Sequence, residues 1–208
     1  MSDPQPARPQ IYLVTPPDPD PQRFPDTLAR VLDAQPVACV RLSAPGTDAD
    51  RIARAADALR EVTHARDVAL VIERHAAMVD RLGLDGVHLG DGARGVRKLR
   101  ADLGADRIIG AFCGASRHDG ITAGEAGADY VAFGPVGAAG LGDGTTAPRA
   151  LFEWWSEMIE VPVVAEGALD AALIESLAPV VDFIGLGAEI WGEDDPVAAL
   201  AALTAPLG

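Results

Sequence analysis

Short apolar runs of high β propensity alternate with helical runs eight times along the chain. The apolar runs occupy residues 10–15, 37–42, 68–72, 86–89, 107–112, 130–133, 161–167 and 183–187. Each is nearly continuous in small and branched apolar residues, which indicates burial on both faces and therefore parallel pairing beneath a layer of helices. Eight such units predict an α/β fold, a single (β/α)8 TIM barrel.

An open, doubly wound sheet is the rival architecture. Its dinucleotide fingerprint belongs after the first strand, whereas the glycine-dense loop of this chain, residues 137–144, follows the sixth apolar run. The closed barrel is therefore favoured. It is predicted to span residues 10–208 as one domain, preceded by a polar, Pro-rich and flexible segment at residues 1–9.

Charge and composition exclude several classes of function. The formal net charge of −14 argues against nucleic-acid and anionic-membrane partners, which require basic surface. No run of eighteen or more apolar residues is present, so no membrane span is predicted. Cys39 and Cys113 lie in or next to apolar runs, which predicts buried free thiols and a cytoplasmic location. Lys98, the only lysine, lies in a polar helical run and argues against Schiff-base chemistry.

The stretch Gly127 to Val136, GADYVAFGPV, combines a turn, a short strand and an abrupt Gly-Pro stop. The glycine loop and then Thr146-Ala147-Pro148, a helix-start signal, follow it. In a strand, glycine loop and helix, backbone N–H groups can face an anion. Small residues also follow strands seven and eight, where barrels often bind phosphate. Five small residues are therefore candidate phosphate-binding positions: Gly134, Gly167, Gly185, Gly187 and Ala188.

With these motifs together, the chain resembles the thiamine phosphate synthase family and its thiazole-tautomerase relatives. The resemblance rests on DGVHLG at 85–90, on the stretch at 127–136, and on the turns at Gly167 and 185–187, and it runs from Ile11 to the end of the chain. It implies a (β/α)8 barrel and a transferase of thiamine biosynthesis. In the family reaction, a thiazole phosphate nitrogen displaces pyrophosphate from an activated pyrimidine, with the help of Mg²⁺. The implied partner is a small phosphorylated heterocycle.

The resemblance assigns roles residue by residue. Arg41 matches the family's arginine after strand two, and Glu73-Arg74 stand where the family has Asn-Asp. Asp91 lies two residues before Ala93, which takes the place of the second metal aspartate. The predicted catalytic residues are thus Arg41 and Arg74, with Asp91 as the Mg²⁺ ligand. The alternative to the metal is Arg74, since a guanidinium binds phosphate bidentately.

Further ligand contacts are predicted from Glu73, His88 and Asp91 at strand ends, although a hydrogen-bonded structural role is the competing interpretation for His88. The loop at 137–140 lacks the family's threonine and lysine, and Thr145-Thr146 can replace the threonine only if the loop folds back.

Three interpretations remain open: a divergent thiamine-phosphate-synthase-type transferase, a barrel of the same descent with another small-phosphate reaction, and a non-catalytic, phosphate-binding paralogue. A homo-oligomer is a further candidate. The three tryptophans, Trp154, Trp155 and Trp191, are predicted to be packing residues, with Trp155 at a subunit contact as the alternative.

Overall fold

A computed structural model describes residues 8–208. Most of the predicted flexible segment, residues 1–7, lies outside the described residues. The strands follow one another around the barrel: β1 Gln10–Val14, β2 Cys39–Leu42, β3 Ala69–Glu73, β4 Gly86–Leu89, β5 Ile108–Phe112, β6 Tyr130–Phe133, β7 Val163–Glu166 and β8 Phe183–Leu186. Every neighbouring pair is parallel, and β8 pairs with β1, which closes the barrel. The predicted (β/α)8 fold is confirmed.

Helices connect the strands and cover the outside of the barrel. They are α1 Phe24–Ala34, α2 Ala49–His64, α3 Val79–Leu82, α4 Val96–Leu103, α5 Arg117–Glu125, α6 Arg149–Met158, α7 Ala171–Leu177, α8 Ala188–Trp191 and α9 Pro196–Thr204. None of the helices among residues 8–208 is long and apolar enough to cross a membrane.

Local signals in the sequence fix where several helices begin. The Asp48 side chain accepts hydrogen bonds from two backbone N–H groups of the first turn of α2. Ser116 does the same for one N–H group of α5. These caps satisfy donors that would otherwise lack a partner at a helix start.

The main core lies between the sheet and the helices. Leu28, Val31 and Leu32 form the buried face of α1, at the spacing of one helical stripe. On α6, Trp155 is 1% exposed and its Nε1 donates a hydrogen bond of 2.7 Å to the Val161 carbonyl. The prediction that Trp155 lies at a subunit contact is therefore wrong, because the ring fills the layer between α6 and the sheet.

A second, smaller cluster fills the inside of the barrel. Alternate residues of the strands point inward, and the cluster joins buried side chains from most of the ring: Tyr12, Cys39, Val71, Phe112, Tyr130, Ala132 and Val164. Cys39 and Cys113 are both free and buried, as expected. Burial raises the pKa of each thiol to about 12, so both stay protonated near neutral pH.

Candidate active site

Five polar side chains from different strands meet inside the barrel. Arg41 on β2 forms an ion pair with Glu166 on β7, with 2.6 Å between Nη2 and Oε2. The two residues are 6% and 3% exposed. The Nη1 atom of Arg41 also lies 2.8 Å from Nε2 of His88 on β4. Nδ1 of His88 in turn lies 2.9 Å from the Tyr130 hydroxyl on β6. The chain of contacts ends at Tyr12 on β1, whose hydroxyl is 2.7 Å from that of Tyr130.

The direction of these hydrogen bonds follows from the guanidinium. Arginine can only donate, so Nε2 of His88 must accept and Nδ1 carries the proton. His88 then donates to Tyr130, and the Tyr130 hydroxyl is left to donate to Tyr12. His88 is therefore the neutral tautomer with its proton on Nδ1, the one form that can both accept from Arg41 and donate to Tyr130.

Burial and charge agree with that assignment. Burial, and next the nearby positive charge of Arg41, hold the pKa of His88 well below its ordinary value. Burial likewise raises the pKa of Tyr130 and that of Tyr12 above the ordinary value. For Arg41 itself, burial is the largest single influence and acts to lower the pKa, but the charge and hydrogen bond of Glu166, together with the neighbouring tyrosines, raise the pKa overall. The ion pair is therefore charged, and the histidine and both phenols are neutral.

Gly185 on β8 makes room for this ion pair. A Cβ at Gly185 would lie 2.9 Å from Cβ of Glu166, closer than real Cβ atoms approach one another. Because Gly185 has no side chain, the Glu166 carboxylate can lie inside the barrel and reach Arg41. The spacing of 125 residues between the two hides this contact from any sequence pattern.

A different arrangement occupies the end of β3. The Glu73 carboxylate accepts a hydrogen bond of 3.1 Å from the Ser43 hydroxyl. Its other oxygen lies 3.2 Å from Nε of Arg74, whose side chain is 62% exposed. Glu73 and Arg74 therefore lie together on the rim of the barrel. Arg41 and His88 are together in the dry interior.

A cavity of about 400 Å³ opens at the carboxyl ends of β4 and β5. Asp91 lines it and is exposed, and Phe112 forms part of its wall. Asp119 and Asp143 add further carboxylates to the same lining. The cavity lies at the face of the barrel where ligands of this fold bind.

The loop between β6 and α6 forms the outer wall of that cavity. Thr145 lines it, and a Cβ at Gly142 would lie 3.0 Å from the Phe112 ring. Leu141 packs against the apolar cluster inside the barrel. The loop therefore folds back over the mouth, which brings Thr145 to the site. Sequence reasoning missed Leu141, Tyr12 and Tyr130; for the two tyrosines, the inward parity of their strands is the signal that identifies them.

The turns after β7 and β8 carry the remaining candidates. Gly167 has a left-handed φ of +92°, which favours glycine. Gly187 donates its backbone N–H to Oε2 of Glu189 over 2.7 Å, and Leu169 donates its own N–H to Oε1 over 3.2 Å. The donors of both turns thus already hold a carboxylate of the same chain. Ala188 is exposed at the start of α8.

Gly134, at the end of β6, lies against β7. Its N–H donates to the Gly114 carbonyl over 3.1 Å, and a Cβ there would lie 2.2 Å from the Glu166 carbonyl oxygen. This close approach leaves no room for a side chain at residue 134. Gly134 therefore shapes the strand end next to Gly167.

The residues at the mouth do not form a cage for Mg²⁺. Among residues 8–208, no three His, Cys, Asp or Glu side chains are placed to hold a metal ion together. Glu73 is already held by Ser43 and by the guanidinium of Arg74. A cation beside the carboxylate opposes the binding of a second cation. The described side chains therefore do not enclose a metal ion by themselves.

Comparison with known proteins agrees with this geometry. The profile of the family described as thiamine monophosphate synthase matches residues 11–188. The chain belongs to this family. A relative from Rhodospirillum centenum named thiamine-phosphate synthase is 42% identical over 92% of this chain and 94% of its own length. One with the same name from Erythrobacter litoralis is 38% identical, with 92% of each chain covered.

A solved structure shares the fold of this chain. The thiamine phosphate pyrophosphorylase of Pyrococcus furiosus superposes with a TM-score of 0.82 over 95% of each chain, at 19% identity. At this identity the likeness concerns the barrel fold alone. Membership in the family, together with the closed barrel, confirms the resemblance expected from the sequence motifs.

Proposed function

We propose that this chain is a thiamine-phosphate-synthase-type transferase, which joins a pyrimidine diphosphate to a thiazole phosphate and releases pyrophosphate. The observation that supports this most is the similarity to the Rhodospirillum centenum relative of that name, which covers 92% of this chain and 94% of the relative. The cavity at the carboxyl ends of β4 and β5 adds support, because a barrel of this kind binds its substrates at this face.

The reaction forms one carbon–nitrogen bond and breaks one carbon–oxygen bond. The thiazole nitrogen supplies the electron pair, and the diphosphate leaves with the pair of the broken bond. In the proposed arrangement Phe112 and Leu141 offer apolar surface to the two heterocycles. The phosphate of the thiazole lies near Gly167, Gly187 and Ala188. Developing negative charge on the leaving diphosphate requires fixed cations or N–H donors.

Arg41 has an indirect role in this proposal. Its guanidinium is held by Glu166 and His88 inside the barrel, so the positive charge is fixed just beneath the mouth. One Arg41 atom, Nε, is buried without a hydrogen-bond partner among the described residues. A buried donor without a partner costs stability, so a ligand atom that enters the barrel and accepts a hydrogen bond from Nε would remove this cost.

The test is a turnover assay with both precursors. We expect thiamine phosphate and pyrophosphate to appear in equal amounts, and neither product when one precursor is omitted. The assay is run in EDTA and again with added Mg²⁺, so that a metal requirement does not hide the activity. Absence of product under both conditions, with a folded protein, would contradict the proposal.

A second candidate is a phosphate-binding protein without catalysis. The Arg41–Glu166 ion pair favours it, because a carboxylate already neutralises the arginine inside the barrel. The same ligands distinguish the two functions by thermal shift, since a ligand that binds the native state raises its melting temperature. Stabilisation by thiazole phosphate, thiamine phosphate or pyrophosphate without turnover would favour this second function.

We also infer the setting in which the protein acts. Two free, buried cysteines fit a reducing compartment, and we place the reaction in the cytoplasm. We treat residues 10–208 as one barrel domain. A homo-oligomer remains part of the proposal, with its contact surface on residues other than Trp155.

A further inference from the structure

Arg74 extends into the mouth of the barrel from a strained backbone position. Its φ is +69°, in the left-handed region that few residues other than glycine adopt. Its N–H donates to the His88 carbonyl and its carbonyl accepts from the Ala76 N–H, both over 2.9 Å. Such a conformation costs about 1–3 kcal/mol for a residue with a side chain. An arginine kept where glycine would be favoured indicates a role for its side chain.

The guanidinium of Arg74 lies beside Gly90, one of the residues that line the cavity. A Cβ added to Gly90, which lines the cavity, would lie 3.6 Å from Nε and 3.8 Å from Nη2 of Arg74. Nε is the guanidinium atom nearest to the Glu73 carboxylate, at 3.2 Å. Within residues 8–208, Nη1 and Nη2 make no hydrogen bond to another residue. Two parallel donors are therefore open to a bidentate acceptor such as a phosphate.

The rest of the cavity shows which part of a ligand belongs beside Arg74. Asp91, Asp119 and Asp143 line the cavity, and their negative charge repels phosphate. The anionic end of a ligand is therefore best placed beside Arg74, an exposed positive charge at the end of β3.

We propose that Arg74 binds the diphosphate of the substrate, and pyrophosphate after the reaction, in place of a protein-held metal ion. This inference rests on the proposed function for the identity of the diphosphate. Arg74 then neutralises the charge that develops on the leaving group, as the carbon–oxygen bond breaks. The carboxylate of Glu73, braced by Ser43, keeps the guanidinium at the rim.

The test measures pyrophosphate binding by isothermal titration calorimetry in EDTA. We expect the wild-type protein to bind in EDTA with an affinity within about threefold of that in Mg²⁺, because the Arg74 guanidinium supplies the positive charge. Arg74→Ala should lose about 10- to 100-fold in affinity, the size expected for charge-assisted hydrogen bonds. Arg74→Lys should recover only part of it, since an ammonium cannot bind bidentately. Arg94→Ala is the matched control, because Arg94 is exposed on the next loop and the substitution removes the same charge.

Arg74→Gly separates a functional role from a structural one. Glycine relieves the left-handed strain, so this variant should be at least as stable as the wild-type protein and yet fail to bind pyrophosphate. Three results would overturn the proposal: no binding of pyrophosphate by the wild-type protein, binding that requires Mg²⁺, or equal affinities of Arg74→Ala and Arg94→Ala. If turnover occurs but requires Mg²⁺, the transferase function stands and this inference fails. Pyrophosphate binding through Arg74 without turnover supports the role of Arg74 and contradicts the transferase function.

Discussion

At the scale of single residues, carboxylates of the chain occupy positions where an anionic ligand is expected. Glu166 is held by the guanidinium of Arg41, and Glu189 by the backbone N–H groups of Gly187 and Leu169. The Glu189 contacts join the turns after β7 and β8, where barrels commonly bind phosphate. Any phosphate that binds to these donors must first displace the Glu189 carboxylate.

Removal of that carboxylate has two opposite effects. Without phosphate, Glu189→Ala should lower the free energy of unfolding by about 1–2 kcal/mol, because two backbone donors lose their acceptor. With phosphate, its melting temperature should rise more steeply with ligand concentration than that of the wild-type protein, because the donors are open. Thermal unfolding across a phosphate series measures both effects.

Glu193→Ala provides the control for this prediction. Glu193 is exposed just beyond α8, and its removal takes away the same charge without freeing the two N–H groups. Equal responses of the two variants to phosphate would show that net charge alone, and not the Glu189 contacts, governs the response.

At the scale of elements, α5 packs against β6 and α6 through a glycine. A Cβ at Gly120 would lie 2.7 Å from ring atoms of both Phe133 and Trp155. These rings pack edge to face with centroids 5.0 Å apart, and both are buried. The close approach of α5 to the sheet therefore depends on the absence of a side chain at residue 120.

Gly120→Ala should destabilise the fold, although alanine is the better helix former. The gain in helix propensity is about 1 kcal/mol, but an added methyl group in a packed core costs about 1–3 kcal/mol. We therefore expect a lower free energy of unfolding in chemical denaturation, with an unchanged dependence of that free energy on denaturant concentration. Gly140→Ala serves as the comparison, since a Cβ there meets no atom within 4 Å. A stabilised Gly120→Ala variant would mean that α5 is not held tightly against the two rings.

At the scale of the whole molecule, the interior histidine links stability to pH. The pKa of His88 is lowered in the folded protein by burial and by Arg41, so the unfolded chain takes up a proton first as pH falls. The contribution of His88 to the free energy of unfolding is fully present above the pKa of histidine in the unfolded chain, about 6.5. It is lost as the pH decreases below that value. The loss approaches about 1.4 kcal/mol per pH unit.

The measurement is the free energy of unfolding between neutral pH and pH 5 in the wild-type protein and in His88→Gln. The wild-type protein should lose more stability over this range than the variant, by the amount that His88 contributes. His118→Gln should behave as the wild-type protein, because His118 is exposed on α5. Identical pH profiles for all three proteins would contradict a buried, neutral His88.

The sequence predicts the architecture better than it predicts the site. The predicted ends of all eight strands lie within a few residues of the observed ends, because the alternation of apolar and helical runs is a local signal. The four-residue α8 escapes prediction, since it is too short to show periodicity. The pairing of Arg41 with Glu166 could not be predicted, because it depends on how the ring of strands closes. The contacts of Glu189 could not be predicted for the same reason, since they connect two turns that meet only in the folded barrel.

The hydrogen-bonded side chains inside the barrel also provide an optical signal. Tyr12 and Tyr130 are the only tyrosines of the protein, and they are the last two members of that series of contacts. The absorbance of the neutral phenols therefore reports on the barrel interior alone, with no contribution from surface tyrosines. A ligand that draws the Arg41 guanidinium away from His88 will change the ultraviolet spectrum of the protein, so its arrival can be followed without any label.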